Sequence, residues 1–500
     1  MSTRGRLTVI VAALLLFRLA SALIVAQPGY TDAYYYVGVA RRLAAGQGLS
    51  ADFLWNFLEA APGGAVPVPS HRFWMPLATV LQSIGISILP FLDLFRAAQG
   101  AVILVAAFIP VVAYRAARSL GAAADASLVA AGLAGLGGVF APGWVSLDAF
   151  APAAVLGTLF FLAYGRAARG DPGAGVLAGL LVGLLFLARA EGALFGLALL
   201  ALVRSPGTRT AGIAGSVAAL AIGLGWLARD LSLGAVPDLF ARSTLLVHYE
   251  DFFANEAPTA SAFVAALPDV MLAKLAAIGT NAATFLLAFG LLLVPGMVVA
   301  IRVRRGDPAV RAFAGLLVLI YLFQTLVVTL HSTHGSYLHS LAAFFPYGVA
   351  LGVVGATRLL RSVPRARVAA AGALAAALLL STFALAEWDV AFNAPYQARS
   401  ESASLIPPGR FMAIDAAAWR WISRRPVVVT PADLGPCAFD RASYSAVKWL
   451  VLEPVHFSAY DGLYRGDREV PYLNRLPKAG PLHIYSIDLK RAEELCAATR

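Results

Sequence analysis

Apolar residues run along this chain in long blocks and seldom alternate with polar ones. Eleven blocks stand out, near 7–26, 96–118, 121–141, 148–168, 173–189, 190–204, 210–228, 278–302, 308–330, 340–359 and 366–386, each rich in Leu, Ala, Val and Phe. A run of about 20 such residues is the length a helix needs to cross a bilayer. Lipid offers backbone amides no partner, so each block is predicted to be helical. The blocks 173–189 and 190–204 are short and joined by polar residues, and they read as two thin helices or one broken one. A further apolar stretch, 76–93, carries Pro76, Gly85 and Pro90, which suits a broken helix in the membrane plane or re-entering from one side.

The polar punctuation between blocks sets an orientation. Arginines cluster as Arg4/Arg6, Arg115/Arg118, Arg166/Arg169, Arg204/Arg209, Arg302/Arg304/Arg305/Arg311 and Arg358/Arg361/Arg365/Arg367. With eleven spans all of these fall on one side, which the positive-inside rule makes cytoplasmic. Counting 76–93 as a span would invert every later helix. On the opposite side the exceptions, Arg189 and Arg229, stand beside Glu191 and Asp230. The first apolar run follows Arg4 and Arg6 much as a signal peptide would. Its length, its internal Arg18 and the polar loop that follows favour a retained helix. The expectation is a multi-pass protein of the plasma (inner) membrane with a cytoplasmic N-terminus.

Three segments then face outward: 27–95, 229–277 and 387–500. The first holds an amphipathic stretch, Asp32 to Ala45, with Tyr35, Val39 and Leu43 at helical spacing. The last is polar, with β-like runs Val427–Thr430, Trp449–Leu452 and Leu482–Ile487 and a helix-like run Met412–Ile422. The fold class expected is an all-α polytopic membrane domain over 1–386, followed by a small extracytoplasmic α/β domain over 387–500. Cys437 and Cys496 both fall in that domain, where an oxidising compartment would let them pair.

Composition agrees. The chain is 59% hydrophobic and 13% charged, with mean hydropathy +0.74, against about 25% charged residues in soluble domains. The net charge of +11 lies in arginines at the ends of apolar blocks, without a basic patch interleaved with aromatics, so nucleic acid is not an expected partner. No glycine loop ending in Lys-Ser/Thr is present, which argues against ATP use.

The outer face holds the candidate chemistry. Asp32, in Tyr30-Thr31-Asp32-Ala33-Tyr34-Tyr35-Tyr36, can act as a base toward a hydroxyl, ligate a divalent metal, or cap a helix. Tyr35 is a candidate substrate contact in the same run. Asp148 lies at the outer end of another span, on the face that carries Asp32, so the two could meet over one pocket. His71 and Arg72 suit a lipid phosphate or an interfacial anchor with Trp74. Arg189 and Glu191 lie at membrane depth, where ionisable residues are costly, and read as a functional pair or as mutual neutralisation. The run His331-Ser332-Thr333-His334-Gly335-Ser336-Tyr337-Leu338-His339 reads as a polar pocket wall or a metal site, with His331, His334 and Tyr337 as candidate contacts. The cofactor is unknown, with a divalent metal ion as the candidate.

On these residues the chain resembles the GT-C superfamily of membrane glycosyltransferases, of the protein mannosyltransferase and lipid A aminoarabinose transferase type (glycosyltransferase family 39-like). The resemblance rests on Thr31-Asp32-Ala33-Tyr34-Tyr35 after the first helix, Ala40-Arg41-Arg42-Leu43-Ala44-Ala45-Gly46-Gln47-Gly48-Leu49, and Ser70-His71-Arg72-Phe73-Trp74-Met75-Pro76-Leu77. It continues through Phe95-Arg96-Ala97-Ala98-Gln99-Gly100, Asp148 and Leu187-Ala188-Arg189-Ala190-Glu191-Gly192, over about the first 210 residues. One departure is the usual doubled proline after the basic residue, replaced here by Phe73-Trp74-Met75-Pro76. The resemblance implies sugar transfer from a polyprenyl-phosphate donor to a glycan, lipid or protein acceptor on the outer face. It implies Asp32 as general base, Asp148 as second acidic residue, and Arg72 or Arg189 as the cation facing the leaving phosphate.

Two other classes compete. A secondary transporter or flippase also needs many helices and buried charge, but the second half holds no copy of the 27–95 segment that a repeat would require. An outer-face binding or assembly protein would place its function in 387–500.

Overall fold

In the computed structural model every one of the eleven apolar blocks is built from helix. The residues described are 1–60, 66–234, 238–291, 293–360, 366–439, 446–477 and 480–499. Arg361 and Arg365 of the last arginine cluster lie outside them. The chain divides into two compact units: a helical one of Met1–Ala26, Trp74–Gly234 and Leu272–Asp389, and a second of Gln27–Phe73, Ala235–Met271 and Val390–Arg500.

Among the described residues, seven helices are long and apolar enough to cross a membrane: Thr3–Ile24, Leu94–Ser119, Phe150–Ala167, Arg209–Ser232, Leu267–Phe289, Pro308–Leu326 and Arg367–Leu405. The pair Thr329–Ala342 and Phe345–Leu359, bent by 70°, makes an eighth if it counts as one span. The remaining three expected spans are shorter helices, Ala124–Leu136, Pro172–Ala188 and Ala190–Val203. The block read as one span over 278–302 is two helices, because Gly290 takes φ +73° and breaks the ladder between Leu267–Phe289 and Leu293–Val303. The stretch 76–93 holds a 12-residue helix, Leu77–Ile88, too short to span.

Small residues let the helices approach. A Cβ placed on Gly179 of Pro172–Ala188 would fall 1.9 Å from the Gly215 carbonyl oxygen on Arg209–Ser232. Such backbone-to-backbone packing is how membrane helices gain van der Waals contact without a hydrophobic drive between them. The arginine-bearing connections of this unit are neighbours. Arg6 pairs with Asp125 at 2.8 Å. Arg304 reaches the Gly121 turn, Gly170 faces Gly207, and Gly165 faces Ala309.

The second unit is built on a five-stranded sheet. Its strands are β3 (Arg410–Ala413), β4 (Val427–Val429), β5 (Val447–Leu452), β6 (Leu473–Arg475) and β7 (His483–Ile487), in the order β4-β3-β5-β7-β6. Two shorter strands, β1 (Ser50–Ala51) and β2 (Val68–Pro69), form a separate antiparallel ladder. β3 is parallel to β4 and β5, while β7 is antiparallel to β5 and β6. The run Met412–Ile422, expected as one helix, is the end of β3 followed by helix Ala416–Ser423, which Asp415 caps through the Ala418 amide. Phe411, Trp419, Val427, Val429, Val451 and Ile484 are buried together in the core. Cys437 and Cys496 are joined as a disulfide.

Both earlier segments of this unit are stitched to the sheet. Leu54 adds a parallel bridge to β4, donating to Val427 O at 2.9 Å and accepting from Val429 N at 2.7 Å. Phe253 O accepts from the Ala432 amide, and Glu250 accepts from the Ser458 amide and hydroxyl. Asn56 donates to Phe252 O, tying the two segments to each other.

Candidate functional site

Asp148 lies in the turn between a short 3-10 segment, Gly138–Phe140, and helix Phe150–Ala167. The turn is held in place by Gln99, whose Nε2 donates to Val25 O at 2.9 Å and Val145 O at 3.1 Å. Arg96 supports Gln99 through Oε1 and also reaches Ala22 O at the end of the first helix. Asp148 is fully buried. Its Oδ2 stands 3.5 Å from His339 Nδ1, and the His339 ring lies 4.0 Å from that of Phe150. His339, not singled out above, is therefore the histidine of the 331–339 run that meets a candidate carboxylate. Three histidines in nine residues marked the run, but not which of them would meet it.

That run is not a regular helix. His334 (φ −99°, ψ 24°) and Gly335 (φ +109°) leave helical geometry and kink the chain between Thr329–His331 and Tyr337–Ala342. Arg189, in extended conformation after helix Pro172–Ala188, places Nε 2.6 Å from Glu191 Oε1 and donates Nη2 to Ser336 Oγ at 3.0 Å. Ser340 donates to Glu191 Oε1 at 2.6 Å, and Gln324 Nε2 donates to both serines. Arg189 and Glu191 thus form an ion pair set in a network of hydroxyls. Gln324 and the two serines were missed, since polar residues inside apolar runs carry no label of their partners. Tyr337 is buried against Tyr321, and His334 is exposed with Nδ1 against Leu330 O at 2.7 Å. His331 ends the short helix Thr329–His331.

In the second unit, Asp32 sits in the first turn of helix Thr31–Ala44, two residues past the cap residue Tyr30. A carboxylate there is favoured by the helix dipole. The Tyr249 hydroxyl is pushed up to about 12 by its burial and by the negative charge of Asp32. Tyr35 donates to Glu59 Oε1 at 2.7 Å and accepts from the His71 amide at 2.5 Å, while the Arg72 amide donates to Glu59. Burial and the Glu59 carboxylate drive the Tyr35 hydroxyl well above its ordinary range. His71 is buried, takes φ +62°, and packs its ring against Tyr35 and Tyr36. The aromatic residues after Asp32 therefore fix the turn that presents Arg72. Glu59 was missed; its only trace was a lone acid in the apolar run Phe53–Ala61.

The fold, a helical unit with a smaller unit built on a mixed sheet, is one found among solved structures. No known family matches the chain by sequence, and no curated protein does. Among solved structures it is similar to ArnT from Cupriavidus metallidurans bound to undecaprenyl phosphate, with TM-score 0.59 and 14% identity over 97% of this chain and 98% of that one. The apo state of ArnT gives TM-score 0.55 at 13% identity over the same shares. The Archaeoglobus fulgidus oligosaccharyltransferase in complex with Zn and sulfate gives TM-score 0.55 at 14% identity, over 88% of this chain and 67% of that one. At these identities the likeness is one of fold.

Proposed function

We propose that this protein transfers a sugar from a polyprenyl-phosphate donor to an acceptor hydroxyl on the extracytoplasmic face of the membrane. The observation that supports the reading is the end-to-end likeness to a structure that holds undecaprenyl phosphate. In this reaction the acceptor oxygen bonds to the anomeric carbon as the carbon–phosphate oxygen bond breaks. The acceptor's proton goes to a base and the phosphate leaves as an anion. Asp32, at a helix N-terminus that favours its ionised form, takes the proton. Negative charge builds on the phosphate, where a fixed guanidinium lowers the barrier. Arg72 and Arg189 are the candidates for that role. Asp148 and His339 offer one oxygen and one nitrogen donor toward a divalent ion, fewer than Ca²⁺ takes but compatible with Mg²⁺, which keeps several waters, and a chelator titration tests whether transfer needs one.

Mass spectrometry of lipid-linked sugars and envelope glycans, with the gene present and deleted, identifies donor and product. With that donor, Asp32→Asn in purified protein is expected to lose about 10²–10⁴-fold in transfer rate while still binding undecaprenyl phosphate. Wild-type rates in the variant would remove Asp32 from the reaction. Saturable transport without a glycosylated product would replace the enzyme reading altogether.

A further inference from the structure

We propose that a groove at the arginine-bearing end of the helical unit binds one phospholipid by its phosphate. The groove holds ≈ 540 Å³, between helices Phe150–Ala167, Gly196–Val203 and Pro308–Leu326. That volume falls in the range of sites that enclose a small ligand. Its lining is divided. Tyr164, Ser205, Thr208 and Arg311 supply hydroxyls and a guanidinium, and Leu197 and Leu319 supply apolar wall.

Arg311 decides the ligand. It stands in the first turn of Pro308–Leu326, which Asp307 caps through the Ala309 amide at 2.9 Å. Arg6 and Arg166, at the ends of other helices, are paired with Asp125 and Asp171. The exposed Arg311 guanidinium makes no hydrogen bond or ion pair among the described residues. A phosphodiester oxygen pair matches the guanidinium fork. Thr208 already donates its hydroxyl to Leu202 O, so it meets a ligand as an acceptor, as a glycerol headgroup requires. The apolar wall begins within the same cavity and takes an acyl chain, which a free phosphate lacks. Gly315 lines the groove with no atom within 4 Å of where its Cβ would be, so the space at that point is open. This site is independent of the proposed transfer reaction.

Native mass spectrometry of the full-length protein, titrated with phosphatidylglycerol, tests the assignment. One lipid is expected to be retained, with Arg311→Ala weakening it at least about tenfold, the scale of a lost charge-assisted hydrogen bond. Gly315→Leu enters the groove at a point where the Cβ meets no other atom and leaves the charge in place, and is expected to remove the bound lipid while circular dichroism stays that of the wild type. Retention of diacylglycerol as tightly as phosphatidylglycerol would overturn the proposal. So would wild-type lipid binding in both variants, or displacement of the lipid by millimolar inorganic phosphate, which would assign the groove to the ion alone.

Discussion

Replacing Asp52 by Asn removes a negative charge that links the Asp32 helix to helix Ala416–Ser423 of its own unit. Asp52 Oδ2 lies 2.6 Å from Arg41 Nη2, 2.6 Å from Arg420 Nη2 and 3.9 Å from Arg42 Nη1. Arg41 and Arg42 close helix Thr31–Ala44, and Arg420 belongs to helix Ala416–Ser423. Breaking a fully buried ion pair costs about 3–5 kcal/mol, and an exposed pair is worth about 0–1 kcal/mol. Here Asp52 is 15% exposed and the two close arginines 28% and 14%, so a loss of about 2–3 kcal/mol is expected. Burial alone would raise the Asp52 carboxyl, but the Arg420 and Arg41 guanidiniums outweigh it and hold it below its ordinary 3.8. A depressed carboxyl stabilises the fold above that ordinary value and loses its contribution as pH falls through the folded one. Thermal unfolding of the detergent-purified protein should therefore show Asp52→Asn melting roughly 5–10 °C lower at pH 7. The difference between wild type and variant should shrink as pH drops below about 4. A variant within about 0.5 kcal/mol of wild type, or a difference that persists in acid, would refute the claim that this carboxylate clamps the helix.

Two further outcomes follow from packing and cross-linking. Gly179→Ala should cost about 1–3 kcal/mol, because its methyl would meet the Gly215 carbonyl, whereas Gly223→Ala, where no atom lies within 4 Å, should be neutral or stabilising; equal melting temperatures would refute the close approach. Cys437→Ser opens a cross-link of sequence separation 59, for which chain entropy gives about 4 kcal/mol. Wild-type protein should take up a thiol label only after reduction, and labelling without reductant would show that the pair does not form in the cell.

Much of the helical unit was legible because a bilayer span declares itself by length and apolarity, which neighbours hardly alter. One span departed from expectation where a single glycine changed the backbone, at Gly290, and another where the chain bends by 70° between Thr329–Ala342 and Phe345–Leu359. Pairings were less legible. Asp148 could be marked as an outer-face acid, but its partner His339 lies on a distant element, and nothing in the local run distinguishes it from His331 or His334. Strand β6 was missed because Asn474 and Arg475 are exposed at the sheet edge and show no alternation.

The deepest gap concerns the second unit. The segments 27–95 and 229–277 read as loops on the outer face, separate from the C-terminal α/β domain, whereas Gln27–Phe73 and Ala235–Met271 belong to one compact unit with Val390–Arg500. What joins them is largely main-chain hydrogen bonding: Leu54 with Val427 and Val429, and Phe253 with Ala432. Backbone amides and carbonyls are the same for nearly every residue type, so such joints leave no mark on sequence. Side-chain joints leave a faint one. Asp52 and Glu59 each stand alone among apolar or aromatic neighbours, and each accepts hydrogen bonds from a distant segment or turn. Burying a charge without partners is expensive, so a solitary acid in an apolar loop is itself a sign that the loop is anchored. The anchoring matters for the chemistry, because it converts the helix that carries Asp32 in its first turn from a loop element into part of a folded unit.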